Sequence, residues 1–280
     1  MYGPLTIMEG SAMGSGLGRA RFVGRCLMVV ACLVFFATGG LAEEKKTGVM
    51  DPQAIDAFKR MSQHLQNAKT LSFTTSGLRE VAEASGIKEL RGRTGIVVVQ
   101  RPNRFYAQVL GDDGRKKQVW FDGETLSIAV SGVKGAQYAA IAAPKDAKTI
   151  DGILEHLMDE YDYVLQLGDL FYSDVYGTLE DALLSAVHLG RKLVGGRPCH
   201  HLSLEFAGAD AQLWVQDGDD PVPCRWAFTL RDEPSEPLFV SSFDSWVSNP
   251  SVDAARFRFV APAGATKMEM KDLLAQASAR

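Results

Sequence analysis

Cys199, His200 and His201 stand side by side in the stretch Pro198-Cys-His-His-Leu-Ser-Leu-Glu-Phe206. Thiolate and imidazole are ligands that zinc and copper select, so this triplet is the first place where the chain could do chemistry. The residues after it argue against a metal. Leu202, Leu204 and Phe206 alternate with Ser203 and Glu205, which is the period of a strand. Successive side chains of a strand leave from opposite faces, so His200 goes with the leucines and His201 with Ser203 and Glu205. Adjacent histidines then cannot close on one ion, and no HExxH or paired CxxC motif supplies further ligands. His64, His156 and His188 are scattered over segments with a helical pattern. No metal is expected, and His200 is left as a candidate polar group on an apolar face.

Other reactive constellations are missing in the same way. There is no G-x-S-x-G elbow, no Walker A loop and no G-x-G-x-x-G unit. Asp217-Gly-Asp-Asp220 lacks the spaced ligands of a calcium loop and reads as a turn. No catalytic residue and no cofactor is assigned. Cys199 and Cys224 pose a separate question. Two cysteines in an oxidising compartment usually pair. Strand alternation, however, puts Cys224 with Trp226, Phe228 and Leu230, and Cys199 opposite Leu202 and Leu204. A strand expected at 212–216 would also hold their α-carbons beyond the ~7 Å a disulfide tolerates. A bulge at Pro198 would bring them together, so both outcomes stay open.

The compartment is read from the N-terminus. Arg19, Arg21 and Arg25 precede the apolar run 26–37 (CLMVVACLVFFA), and small residues lead to Gly40-Leu41-Ala42. This is the pattern of a secretory signal peptide, residues 1–42, cut after Ala42; initiation at Met13 rather than Met1 gives it more usual proportions. The run is too short for a stable bilayer span. Val29-Val30-Ala31-Cys32 resembles a lipobox, but the apolar run continues past Cys32 where a polar tether is expected. Soluble export is therefore preferred to lipid anchoring, and the expected location is periplasmic or secreted. The formal net charge is −4, and removing residues 1–42, with three Arg and one Glu, leaves −6. Such a chain, with no basic block, is a poor partner for nucleic acid or for a charged lipid surface.

The elements that position these residues follow from periodicity. Asp51 and Pro52 open a helix whose stripe is Ile55, Phe58, Met61 and Leu65. Strands are expected at 71–76, 95–100, 104–110, 117–121 and 125–130, with turns at 111–114 and 122–123. A helix from Thr149 carries Ile150, Ile153, Leu154, Leu157, Tyr161 and Val164 on one face. A second is expected from Thr178, where Thr178 and Asp181 have capping-box spacing and Leu179, Leu183 and Val187 follow. Strands return at 189–194, 199–206, 212–216, 225–231, 239–247 and 256–260, and the tail 267–277 is helical. Short links favour antiparallel neighbours, so residues 43–280 form one α+β domain on a large antiparallel sheet. Several strands are apolar on both faces, which fits either plain core or an apolar cavity in a curved sheet.

Several stretches resemble a bacterial exported family known as domain of unknown function 2092. They are Trp120-Phe-Asp-Gly123, Tyr138-Ala139 with Ala143-Pro144, Thr149-Ile-Asp151, Gly168-Asp-Leu-Phe-Tyr-Ser-Asp174, Cys199-His-His-Leu202, Gln212-Leu-Trp-Val-Gln-Asp-Gly-Asp219, Ser245-Trp246 and Phe259-Val-Ala-Pro-Ala-Gly264. Their order and spacing, from Pro52 to Met268, carry the likeness. Cys224 departs from it, since a basic residue is expected there. The family is similar to the LolA/LolB superfamily of periplasmic lipoprotein carriers. That resemblance implies an incomplete antiparallel barrel of about eleven strands, with helices closing its concave mouth. It also implies a non-enzymatic carrier for a lipid, a lipoprotein acyl chain or another apolar ligand. The cavity wall would include Phe105, Trp120, Leu202, Leu204, Phe206, Trp226 and Phe228. The lid would include Ile153, Leu157, Tyr161, Leu170, Phe171 and Tyr172. The alternative is a filled barrel that docks an envelope protein and takes no small ligand.

Overall fold

The computed structural model describes residues 48–83, 85–132 and 135–278. The expected signal peptide, its cleavage after Ala42, the choice of Met1 or Met13 and the Cys32 lipobox lie outside the described residues.

Asp51 caps α1 (Pro52–Asn67) by accepting from the Gln53 N–H; of the expected stripe Phe58, Met61 and Leu65 are buried and Ile55 is half-buried. Six strands follow: β1 (Thr70–Ala82), β2 (Lys88–Gln100), β3 (Arg104–Gly111), β4 (Lys116–Phe121), β5 (Thr125–Gly132) and β6 (Gly135–Ala142). Helix α2 (Ile150–Tyr161) is capped by Thr149, and a 3-10 turn spans Gly168–Phe171. Here the structure corrects four readings. Strand β6 was not among the expected strands, and α2 ends at Tyr161, which leaves Val164 outside it and exposed. The helix expected from Thr178 is the short α3 (Val175–Leu179), capped by Asp174, and Leu183 and Val187 belong instead to β7 (Leu183–Val194). Residues 254–257 form a 3-10 turn rather than the start of a strand. Between lie β8 (Arg197–Phe206), β9 (Ala209–Gln216), β10 (Pro223–Leu230) and β11 (Leu238–Ser248); β12 (Thr266–Lys267) and α4 (Met270–Ser278) close the described chain.

The strands form one open twelve-stranded sheet in the order β12-β6-β5-β4-β3-β2-β1-β11-β10-β9-β8-β7. Every pairing is antiparallel except β12 on β6. The helices gather on one face, where a single continuous core runs from α1 through α2 and α3 to Leu273 and Leu274 of α4. This is the α+β half-barrel architecture, with helices in its concavity. Its halves are filled differently. Helix α1 lies over β7, β8 and β9, and Phe58 meets Trp226 and Tyr176 edge-on at 6.5 and 5.3 Å between centroids. Over β3 the roof is Phe171, 5.4 Å from Phe105.

Candidate functional site

The inward side chains of β1–β5 line up in cross-strand rows that change size along the sheet. One row is Leu71, Val99, Phe105, Phe121 and Leu126; the next is Phe73, Val97, Ala107, Val119 and Ile128. The third is Thr75, Gly95, Val109, Lys117 and Val130, and beyond it Arg93 stands between Gly77 and Gly111. The first two rows are bulky and their large side chains are buried in the core. Where glycine and threonine take over, the helices no longer reach the floor. A cavity of about 230 Å³ opens there. Its floor includes Val97, Val109, Val119 and Val130, and its roof is Leu165, Gln166, Leu167 and Phe171.

Cations mark this cavity. Arg79 on β1, Arg93 on β2 and Lys117 on β4 line the space under the roof. Lys117 donates to the Tyr163 hydroxyl and Arg93 to Gln166 Oε1, which ties roof to floor. Both Arg79 and Arg93 lie over the ring of Phe239, at 5.3 and 5.7 Å from its centroid. Burial, and then the positive charges of Arg93 and Arg79, push the Lys117 ammonium down to about 8. Burial and the neighbouring Arg79 lower Arg93 to about 10. Arg101 fixes the far end of the roof by donating to the Phe171 carbonyl at 2.8 Å.

The expected wall lies elsewhere. Phe105, Leu202, Leu204, Phe206 and Trp226 are buried in the continuous core under the helices, and Phe228 packs against that core. Phe228 stacks on Phe239 at 4.7 Å, which places it one residue behind the cationic group. Trp120 is on the opposite face of the sheet, with Tyr106, Val98 and Phe257, because it pairs with Tyr106 and Ser127 at outward positions. Of the expected lid, Phe171 lines the cavity; Ile153, Leu157, Leu170 and Tyr172 are buried in the continuous core and Tyr161 packs against that core. Arg79, Arg93 and Lys117 were missed. The available signal was parity: Arg93 shares the inward phase of Gly95, Val97 and Val99.

His200 faces inward, as alternation requires, but not into the cavity. Its Nε2 lies 3.1 Å from Asp217 Oδ1 and its Nδ1 lies 3.0 Å from Nε2 of His188. With the carboxylate accepting from Nε2–H, a neutral His200 ring must accept at Nδ1 from His188. Asp217 also pairs with Arg191 at 3.2 Å. The chain joins β7, β8 and the turn after β9, and is a brace. His201 faces outward and stacks on Trp214 at 4.2 Å. Cys199 and Cys224 are disulfide-bonded, with α-carbons 7.0 Å apart. The bulge that permits it is on β10, between Pro223 and Arg225, rather than at Pro198. It turns Cys224 to the outer face, where Cys199 and Trp214 lie.

An open antiparallel sheet with helices packed on one face, and a cavity beside them under the 165–171 segment, is an α+β half-barrel architecture. The chain belongs to the DUF2092 family, described as "Predicted periplasmic protein", whose model matches residues 54–271. That description agrees with the periplasmic location expected from the N-terminus. Among solved structures, the lipoprotein LppX of Mycobacterium tuberculosis is similar at 12% identity and a TM-score of 0.44, over 73% of this chain and 100% of that one. LprF of Mycobacterium bovis is similar at 12% identity and a TM-score of 0.39, over 73% and 99%. A LolA superfamily protein of Nitrosomonas europaea matches at 9% identity and a TM-score of 0.34, over 74% and 97%. No curated protein matches the chain. Among the described residues, no helix is long and apolar enough to cross a membrane.

Proposed function

We propose that this protein is a non-enzymatic periplasmic carrier that holds an apolar ligand, a lipid or a lipoprotein acyl chain, in the concavity of its half-barrel. The observation that supports this most is the cavity between the valine floor of β2–β5 and the roof formed by Leu165, Leu167 and Phe171. An acyl chain entering such a space exchanges water for methylene contact, worth roughly 0.8 kcal/mol per buried CH₂. The resting volume is below the roughly 300–1,000 Å³ of cavities that enclose whole drug-sized ligands. It therefore suits a ligand segment, and a longer chain requires the roof to lift. Within the roof, Leu167 holds a positive φ angle of 61°, a region that costs a non-glycine residue energy.

Native mass spectrometry of the protein purified from its own envelope tests the reading. A bound amphiphile, released on denaturation and identified by its mass, is the expected result. A clean apo mass with no extractable lipid, from protein that also fails to take up added lipid, overturns it. The alternative, a docking module for an envelope protein, draws on the packed concavity under α1, where Leu202, Leu204 and Trp226 are buried.

A further inference from the structure

We infer that the cavity takes the oxyanion head group of an acyl-chain amphiphile, a carboxylate or a phosphate, between Arg79, Arg93 and Lys117, with the chain on the valine floor. This rests on the carrier reading and specifies its ligand class.

The first ground is charge. Six cationic side chains and two carboxylates line the cavity, in a chain whose net charge is −4. The carboxylates are spent at the rim. Asp112 accepts from the Gly92 N–H at 2.6 Å, and Asp113 pairs with Arg115 at 2.5 Å. Arg91 is neutralised by Glu83 and Glu89, both at 2.8 Å. Arg79, Arg93, Lys116 and Lys117 remain, and none of them pairs with a carboxylate among the described residues; Lys116 has the outward parity of its partner Leu110, which leaves Arg79, Arg93 and Lys117 at inward positions. Three uncompensated charges in a partly dry space are unfavourable, and a counter-charge removes the penalty.

The second ground is hydrogen bonding. Nε of Arg79, Nε and Nη2 of Arg93 and Nε2 of Gln166 are buried donors with no acceptor. Buried donors are nearly always satisfied, so four around one space point to an absent acceptor-rich group. A carboxylate or phosphate matches that need, since a guanidinium fork binds either in bidentate fashion. Phe239 supports both guanidinium planes from one side. The third ground is the floor. A bare anion would leave the half-buried Val109 and Val130 uncovered, whereas an attached chain covers them.

The test uses the purified full chain and four probes in calorimetric titration: decanoate, decyl phosphate, 1-decanol and inorganic phosphate. At least one of the two anionic amphiphiles should bind ten-fold or more tighter than 1-decanol, and inorganic phosphate alone should bind far more weakly. In an Arg79→Met/Arg93→Met variant that preference should vanish while 1-decanol binding persists, which also shows that the variant is folded; Arg93→Gln should give a partial loss. Equal affinity for decanol and both anions would overturn the head-group assignment and leave the carrier reading standing. Inorganic phosphate binding as tightly as decyl phosphate would overturn the amphiphile. Failure of all four probes would overturn both readings.

Discussion

Lys117→Met should make the ligand-free protein more stable at neutral pH. Its ammonium is lowered from 10.5 to about 8, with burial the largest cause and Arg93 and Arg79 adding repulsion. At about 1.4 kcal/mol per pH unit, keeping this proton in the folded state costs about 3 kcal/mol. Loss of the hydrogen bond to Tyr163 returns about 1 kcal/mol of that, leaving a net gain of about 2 kcal/mol. The pH dependence follows from proton counts. Below pH 8 both folded and unfolded wild type carry the proton, so the penalty is constant. Between 8 and 10.5 the unfolded chain binds it and the folded chain does not, so wild-type stability rises with pH relative to the variant. Urea unfolding followed by circular dichroism, run on both proteins at pH 7 and pH 10, measures this. With a slope of about 2 kcal/mol/M, the midpoint of Lys117→Met should lie about 1 M higher at pH 7. The gap should narrow at pH 10. A lower midpoint at pH 7, or a gap that does not change with pH, would refute the claim that Lys117 is an uncompensated charge.

Three further outcomes are expected. Cys199→Ser should lower stability by about 3.5 kcal/mol on the chain-entropy relation, given a 25-residue separation from Cys224; urea unfolding without reductant reads it. Gly95→Ala should destabilise by about 1–3 kcal/mol, because its Cβ would meet Thr75 Oγ1 at 2.5 Å and the Gln108 carbonyl at 3.1 Å; the thermal midpoint should fall accordingly. His200→Ala should cost about 1–3 kcal/mol by leaving Asp217 and His188 without their shared partner. Decanol binding should be unchanged in it, since His200 does not line the cavity.

The sheet was legible because period two is a strong signal, and PCHHLSLEF shows how far it reaches. Alternation alone separates His200 from His201, and the structure places them on opposite faces. The errors came where two periods coincide. Leu183 and Val187 are four apart, which is in phase for one face of a helix or of a regular strand alike, although a bulge between Leu183 and Ser185 sets them on opposite faces of β7. Thr178 and Asp181 offered a cap, but Asp174 takes that role by accepting from the Gly177 N–H and the Ser62 hydroxyl. The disulfide was hidden in a bulge, and a single extra residue at Cys224 reverses a parity argument. The cavity was hidden for a different reason. Arg79, Arg93 and Lys117 are ordinary surface residues in the linear chain. They converge only because the β1–β2 and β3–β4 hairpins set Gly77 opposite Arg93 and Val109 opposite Lys117.

The two halves of the sheet are therefore held in different ways, and this bears on how a ligand enters. Under α1 the closure is apolar and redundant. Phe58 and Met61 fill the space, Arg60 ties the helix to the Gly218 carbonyl at 2.7 Å, and the disulfide and histidine brace stiffen the strands beneath. The roof over β2–β5 is held partly by Lys117 on Tyr163 and Arg93 on Gln166. They belong to the side chains that an anionic head group would engage, although at Arg93 it is Nε and Nη2, not the Nη1 of the tie, that are without an acceptor. A ligand that draws the Arg93 and Lys117 side chains toward itself would strain the two polar ties of the roof, so binding and roof closure involve the same two side chains. By linkage, a change that weakens the ties without removing the cations, such as Tyr163→Phe, strengthens binding by whatever the tie contributed to closure. The cations are thus the point where cavity chemistry and roof closure meet.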